Sequence, residues 1–159
     1  MDVTRWDQLV GGVECPFDAP RPDSTDHWEK VASLSASTLY LSTNQTYRGQ
    51  CLLILDTHHA TRPGKVPVEE WTAFCADLRR SERAIVRTVK PDHVNVAALG
   101  NLVAHLHWHI IPRYHTDPRW RAPIWPTSLA EMPETRLTGA EQCQLIDRLK
   151  GALATDGPS

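Results

Sequence analysis

The clearest pattern of hydrophobic and polar positions lies in residues 101–113. Three of the eight histidines, His105, His107 and His109, occupy every second position there, and apolar residues fill the positions between them. In a β-strand such alternate residues point to one face, whereas a helix would place them on different sides. The pattern predicts a strand with a row of imidazoles on one face and a buried apolar row on the other.

Other segments of the chain are also strand-like. Residues 30–42 contain alternating apolar and polar positions, and residues 51–55 are apolar throughout, which is typical of a buried strand. A turn at residues 44–49 joins these two segments, and so short a connection favours antiparallel pairing. Residues 94–97 predict a further strand, which leads into the histidine strand through a turn.

Helical structure is predicted in three places. Apolar residues recur at helical spacing over residues 67–89, which predicts one long amphipathic helix. Thr138 and Glu141 have the spacing of a capping box, so a terminal helix is expected from about residue 139 to residue 154. Residues 1–12 predict a helical turn. With about five antiparallel strands, one main helix and a C-terminal helix, the predicted fold class is α+β.

The chain has the length of a single domain. Its 159 residues can bury a hydrophobic core without disulfides or structural metals. We expect one domain over residues 1–159. Within it, residues 1–27 are expected to form a mainly extended N-terminal segment, and residues 116–159 a Trp- and Pro-rich segment followed by the C-terminal helix.

Charge and hydropathy limit the class of partner. The net charge is −2 and the isoelectric point is near 6.4, which gives no electrostatic basis for binding nucleic acid or a membrane surface. No stretch approaches the roughly 20 apolar residues of a membrane span, and the N-terminus lacks the features of a signal peptide. We therefore expect a cytoplasmic protein whose ligand is a small anion.

The four cysteines have no paired spacing, which argues against a zinc motif and gives no positive case for disulfides. They are Cys15, Cys51, Cys75 and Cys143.

The histidine row has three interpretations. It could be the polar face of a half-exposed strand, although such faces are rarely built from histidine. It could supply two metal ligands, since imidazole is a common ligand, but the sequence offers no partner motif nearby. It could instead be a phosphate site, in which one imidazole attacks phosphorus and its neighbours hydrogen-bond to the oxygens.

The motif His105-Leu106-His107-Trp108-His109-Ile110-Ile111 resembles the signature of the histidine triad (HIT) superfamily of nucleotide hydrolases and transferases. The preceding segment, residues 95–101, resembles the loop that these proteins place before the triad strand. The continuation through residues 112–125 is most similar to bacterial HIT proteins described as diadenosine polyphosphate hydrolase-like. The resemblance extends from about Trp28 to Trp125 and implies a HIT-like fold.

The resemblance implies a role for each member of the triad. His107 would be the nucleophile that attacks the α-phosphorus of a nucleotide and forms a covalent nucleotidyl-histidine, a phosphohistidine-type intermediate. His105 and His109 would orient its ring, contact phosphate oxygens or help the leaving group depart. An imidazole with an ordinary pKa near 6.5 is largely neutral at cellular pH, so no separate base is required.

Further residues are expected to bind the substrate. By resemblance Asn95 would position the nucleotide and Asn101 would reach the phosphate, and Gly100 would let the backbone approach a phosphate closely. Gln50 stands where many family members have a histidine, and it could donate a hydrogen bond to phosphate. Arg113, just after the triad motif, could contact the distal part of the ligand.

Two departures from the family pattern leave the substrate and the rate open. Gln50 cannot carry the charge of a histidine, and Leu102 occupies a position where a hydroxyl residue commonly contacts phosphate. Some relatives also carry zinc-binding cysteines near residue 15. Because residues 15–18 contain only Cys15, we expect no metal there and no cofactor.

Three functional hypotheses follow, in order of preference. The first is a nucleotide hydrolase or transferase that acts on dinucleoside polyphosphates or related conjugates through His107. The second is a nucleotide-binding protein with weak or no catalysis. The third is a metal-dependent enzyme that uses His105 and His107. By resemblance the protein is also expected to form a homodimer.

Overall fold

The protein forms one antiparallel sheet with helices packed against it. The computed structural model describes residues 3–117, 119–125 and 134–155. Within these ranges the sheet has five strands in the order β1-β2-β3-β5-β4, and every neighbouring pair is antiparallel. The elements are α1 (Val3–Val10), β1 (Trp28–Ser33), β2 (Ser37–Ser42), β3 (Cys51–Leu55), a 3-10 turn (Pro63–Lys65), α2 (Val68–Val89), β4 (His93–Ala97), β5 (His107–Arg113) and α3 (Gly139–Thr155).

The predicted α+β class is confirmed, and so are both long helices. The capping box forms as expected, because Glu141 accepts from the Thr138 amide at 2.9 Å and its own amide donates to the Thr138 hydroxyl at 3.3 Å. The predicted helical turn near the N-terminus is helix α1. None of the helices in the described ranges combines the length and apolar character needed to cross a membrane.

One face of the sheet builds the main core. Leu53 of β3 and Ile110 of β5 are fully buried there, in the cluster that includes Phe74 of α2 and Leu149 of α3. Ile110 belongs to the apolar row that the sequence predicts on the strand face opposite the histidines. Because α2 and α3 cover this face, the functional groups of β5 lie on the opposite one.

The opposite face is covered only in part, by two irregular segments. Phe17 of the N-terminal segment packs against Tyr40 and Ile54, and Ile124 of the segment 119–125 packs near Ile111. The buried Arg21 side chain ties the N-terminal segment to the sheet, because its guanidinium pairs with Asp56. The two segments flank the face on which the histidines lie.

Residues 30–42 do not form one continuous strand, because the chain turns back at residues 34–36. Asp77 of α2 stabilises this turn from the core side. Its carboxylate accepts hydrogen bonds from the Ala36 amide at 2.8 Å and the Ser37 hydroxyl at 2.7 Å, and from the Ser35 amide at 3.2 Å. Asp77 is 3% exposed.

Replacing Asp77 is therefore expected to destabilise the protein. In Asp77→Ala two buried donors, the Ala36 amide and the Ser37 hydroxyl, lose their acceptor, so the free energy of unfolding should fall by about 3 kcal/mol. Urea denaturation measures this, with the exposed Asp147→Ala as the matched control, for which a change below about 0.5 kcal/mol is expected. Equal effects of the two substitutions would show that the turn does not depend on Asp77.

Candidate functional site

His107 and His109 form a close pair on the open face of the sheet. Their strand pairs with β3 so that His107 lies opposite Ile54 and His109 opposite Leu52. The two Nε2 atoms are 3.2 Å apart. The geometry brings together two of the three predicted triad side chains.

Hydrogen bonding fixes which nitrogen of His107 is free to react. Its Nδ1 lies 2.7 Å from the carbonyl oxygen of His105, and since a carbonyl only accepts, Nδ1 carries the proton. The lone pair of the neutral ring is then on Nε2. In the contact between the two rings, His109 Nε2–H is consequently the donor. His109 Nδ1 is buried and has no hydrogen-bond partner among the described residues.

Burial keeps both rings neutral. It lowers the pKa of His107, and burial together with the neighbouring His107 lowers the pKa of His109 to about 4. A neutral His107 has its Nε2 lone pair available at neutral pH. The arrangement can therefore supply a nucleophilic nitrogen and, 3.2 Å away, an N–H donor.

The low pKa of His109 predicts a loss of stability in mild acid. The unfolded chain takes up a proton at an ordinary pKa near 6.5, whereas the folded protein does so only near pH 4. Between these values the free energy of unfolding should fall by up to about 1.4 kcal/mol per pH unit because of this group alone. Denaturation of wild type and His109→Gln between pH 7 and pH 4 tests this: the variant should have the shallower slope, and parallel curves would contradict the prediction.

Aromatic rings stand on both sides of the histidine pair. The Phe17 ring lies edge-on to His107, with ring centroids 4.9 Å apart, and Trp125 lies edge-on to His109 at 5.4 Å. Trp125 belongs to the Trp- and Pro-rich segment, of which residues 118 and 126–133 lie outside the described residues. Sequence reasoning missed Phe17, which reaches the site only through the fold.

His105 does not belong to the same row. It lies before β5, outside the strand, and its Nε2–H donates to the Leu55 carbonyl at 2.8 Å. Burial lowers its pKa. The prediction of three rings on one strand face is thus wrong for His105, whose backbone carbonyl orients His107. The hypothesis of a metal held jointly by His105 and His107 gains no support, because the cluster of potential metal ligands around His105 does not include His107 among the described residues.

A second cluster surrounds His105. Its Nδ1 is 3.0 Å from the Asp18 carboxylate and 3.7 Å from the Cys15 sulfur, and His59 Nδ1 is also 3.0 Å from Asp18. Burial raises the pKa of Asp18, but the two imidazoles outweigh it and the net shift is downward. The expectation that a single cysteine leaves nothing here to hold a metal overlooked Asp18 and His59, which no local motif marks.

Arg113 and Asn95 contact each other, and both also line a cavity. Arg113 is 4% exposed, and its guanidinium donates to both carboxylate oxygens of Asp117 at 2.8 and 3.1 Å and to Asn95 Oδ1 at 2.7 Å. It also donates to the carbonyls of Arg119 and Ala122. Its predicted contact with the distal part of a ligand would require breaking this network.

The remaining predicted residues lie around the ends of the strands. Gly100 has a φ of +65°, and an added Cβ would have 3.7 Å to the nearest atom, so the glycine is needed for its conformation rather than for space. Asn101 is exposed in the same loop. Gln50 directly precedes β3, and its backbone N–H donates to the Tyr47 carbonyl at 2.9 Å. Their roles toward substrate stay predictions.

A cavity of about 730 Å³ opens between β4 and the segment 119–125, and its lining residues do not include the triad histidines. Ala97, which pairs with His109 across the sheet, and Trp125, which contacts the His109 ring, both line it. Other lining residues include Asn95, Arg113 and Trp120.

The chain is similar in sequence to a known protein. The chain is 33% identical over 85 residues to Adenylylsulfatase HINT3 of Arabidopsis thaliana, a match that covers 50% of this chain and 43% of that protein. The chain thus spans less than half the length of this relative.

Solved structures share the fold. A histidine triad protein from Bradyrhizobium japonicum, blr8122, has a TM-score of 0.73 and 26% identity over 80% of this chain and 91% of its own. One from Marinobacter aquaeolei VT8 has a TM-score of 0.71 and 24% identity over 81% and 90%. A zinc-bound family member from Mycobacterium smegmatis has a TM-score of 0.56 and 20% identity over 95% and 93%. Identities this low show the fold alone for the last two. The HIT domain matches residues 29–116, and the chain belongs to the HIT domain family.

Proposed function

We propose that the protein is a nucleotide hydrolase or transferase that works through a covalent nucleotidyl intermediate on His107. The observation that carries the proposal is the orientation of His107. Its Nδ1–H is held by the His105 carbonyl, which leaves the lone pair on Nε2, where it accepts a hydrogen bond from His109 Nε2–H. A fixed ring with a neutral nitrogen supports attack on phosphorus once His109 donates to the substrate instead.

The chemistry follows from the atoms present. The Nε2 lone pair forms a bond to the α-phosphorus, and the bond from phosphorus to the leaving oxygen breaks, with the electron pair departing on the leaving group. The modified ring is cationic, and its Nδ1–H remains bonded to the His105 carbonyl, which stabilises that charge. His109 Nε2–H donates a hydrogen bond to a phosphate oxygen. Water then attacks phosphorus, the P–N bond breaks, its electrons return to Nε2, and the water proton passes to solvent.

The substrate class is proposed to be dinucleoside polyphosphates or related nucleotide conjugates, as in the diadenosine polyphosphate hydrolase-like branch of the family. The cavity of about 730 Å³ beside His109 is within the size range of small-molecule sites, about 300–1,000 Å³. Trp120 and Trp125 give it flat apolar surfaces suited to a planar base. The adenylyl sulfate suggested by the name of the HINT3 relative is the competing substrate.

Trapping the intermediate tests the proposal. The protein is mixed with a panel of dinucleoside polyphosphates, adenylyl sulfate and nucleoside phosphoramidates, quenched in base, and digested for mass spectrometry. We expect one nucleotidyl group on the peptide that contains His107. Nucleotide binding with neither adduct nor product would instead leave a nucleotide-binding protein without catalysis.

A homodimer is also proposed. Strand β4 is an edge of the sheet, and apolar side chains lie exposed along it and in the following loop: Val96 is 41% exposed, Leu99 49% and Leu102 63%. Exposed apolar residues on an edge strand favour association with a second chain. Size-exclusion chromatography with light scattering measures the mass of the protein in solution, and a monomer at micromolar concentration would refute the proposal.

A cytoplasmic location stays a prediction, which cell fractionation would test.

A further inference from the structure

The cavity between β4 and the segment 119–125 has an arginine in its wall that no other group engages. Arg121 lines the cavity, is exposed, and has no hydrogen-bond or ion-pair partner among the described residues. We propose that Arg121 binds the distal phosphates of a polyphosphate leaving group and so determines the substrate specificity of the histidine pair. This role rests on the proposed function, and it would decide between dinucleoside polyphosphates and adenylyl sulfate.

The floor of the cavity continues the strand face that carries the histidine pair. Ala97 of β4 pairs with His109, and His93 pairs with Arg113. Because alternate strand residues point to one face, Ala97, Asn95 and His93 lie on the histidine side of the sheet, and all three line the cavity. Residues in a strand rise about 3.3 Å each, so Arg113 lies about 13 Å along the strand from His109. A ligand bound at His109 can therefore extend along this floor.

Arg113 also lines the cavity, but all of its donors are already in use. A guanidinium group has five N–H donors. Two of those of Arg113 bond to the Asp117 carboxylate, and the other three bond to oxygen atoms of Asn95, Arg119 and Ala122. The charge of this residue is engaged inside the wall, so a different cation must meet the charge of a bound anion.

The backbone holds Arg121 in an unusual conformation at the cavity. Its φ is +68°, in the left-handed region that residues other than glycine rarely adopt. The flanking residues are fixed by hydrogen bonds: Arg113 donates to the Arg119 and Ala122 carbonyls, the Ala122 amide donates to the Arg119 carbonyl at 2.9 Å, and Arg119 Nε donates to the Pro123 carbonyl at 2.7 Å. Backbone strain that the surroundings enforce is concentrated at ligand sites, which favours a binding role for Arg121.

The rings and charges along the cavity suit an anionic nucleotide portion. Trp125 lies at the end beside the histidine pair, and Trp120 packs edge-on against His115, with ring centroids 4.5 Å apart. Asp92 is the one carboxylate among the described lining residues. It precedes β4, at the end far from the histidine pair, and accepts from the His115 amide at 2.8 Å. Before that end, a phosphate chain would meet a cation and aromatic rings rather than a carboxylate.

The position of Arg121 along the cavity decides which leaving groups it can reach. Its neighbour Ala122 accepts from Arg113, so Arg121 lies near the level of Arg113, about 13 Å along the sheet from His109. The sulfate that leaves adenylyl sulfate stays at the histidine pair, whereas the leaving group of a dinucleoside polyphosphate carries further phosphates and a base. Only the longer group extends to Arg121. Because this contact exists before and during the reaction, it lowers KM rather than raising kcat.

Removing the charge of Arg121 tests this role. Arg121→Gln keeps the aliphatic stem and loses the cation. For diadenosine tetraphosphate we expect kcat/KM to fall by about tenfold, the lower end for a hydrogen bond to a charged group, mainly through KM. For adenylyl sulfate kcat/KM should change by no more than about twofold, as for a surface substitution away from the ligand. Arg121→Lys retains the charge and should recover part of the loss.

A matched variant controls for net charge. Arg79→Gln removes the same charge from an exposed position of α2, which covers the other face of the sheet, and should leave kcat/KM of both substrates unchanged. The melting temperature of Arg121→Gln should equal that of wild type, since Arg121 has no partner to lose among the described residues. An equal loss for both substrates, or no loss for diadenosine tetraphosphate, would overturn the role of Arg121.

A binding measurement separates this role from the proposed chemistry. In His107→Ala, which cannot form the intermediate, calorimetry compares the affinities for diadenosine tetraphosphate and AMP. Adding Arg121→Gln should weaken binding of diadenosine tetraphosphate by about tenfold and leave that of AMP nearly unchanged. If this difference is found but no substrate forms a nucleotidyl adduct, the proposed hydrolase fails and the phosphate site stands. Adduct formation without this difference would disprove only the role of Arg121.

Discussion

His107→Ala is expected to lower kcat for nucleotide hydrolysis by at least about 10³-fold, with a much smaller change in KM. The substitution removes Nε2 of His107, the atom proposed to form the covalent intermediate, so turnover would depend on direct attack by water. The contacts that bind the rest of the substrate are left in place. Steady-state assays with the best substrate of the panel measure both constants.

Two controls separate loss of the nucleophile from loss of the fold. His115→Ala removes an exposed histidine near the end of β5 and should retain wild-type kcat. In His107→Gly the emptied space should admit free imidazole, and added imidazole is expected to restore part of the activity. A His107→Ala protein that is folded and retains wild-type activity would refute the nucleotidyl-histidine mechanism.

The sheet could be predicted from local patterns because its strands alternate or are wholly apolar, as in residues 51–55. The break between β1 and β2 could not be predicted in the same way. It depends on the Asp77 carboxylate, which accepts hydrogen bonds from backbone amides about 40 residues away in sequence. Nothing in the sequence of residues 34–36 indicates that partner. The start of β5 at His107 was missed for a related reason, since the contacts of His105 are long-range.

The candidate site also has one part that the local sequence predicts and another part that it does not. His107 and His109 are two residues apart on one strand, so their pairing follows from strand geometry. The cluster around His105 draws on positions 15, 18, 59 and 105, whose meeting depends on the whole fold. A search for paired cysteines misses this cluster, because it contains one cysteine. Arg113 shows a different limit: its position beside the triad motif predicts a ligand contact, but no local motif marks the internal partners that the fold gives it.

Arg113→Ala is expected to destabilise the protein by about 3–5 kcal/mol, because it leaves a buried carboxylate without its partner. The Asp117 side chain is only 2% exposed, and the hydrogen bond from Arg113 lowers the pKa of that carboxyl. Arg113→Lys should also be costly, since an ammonium group cannot reproduce the two parallel bonds to Asp117. Urea denaturation at pH 7 measures both variants, and the exposed Arg62→Ala serves as the control.

A double-mutant cycle with Asp117 identifies the cause. If the loss arises from an unpaired buried charge, Arg113→Met combined with Asp117→Leu should be less destabilising than Arg113→Met alone. The same variants decide between an internal role and ligand binding. A large loss of stability supports the internal ion pair, whereas unchanged stability with a raised KM would show that Arg113 binds the substrate after all. Because Arg113 also donates to Asn95, which lines the cavity, its loss should disturb the wall of the proposed substrate site as well.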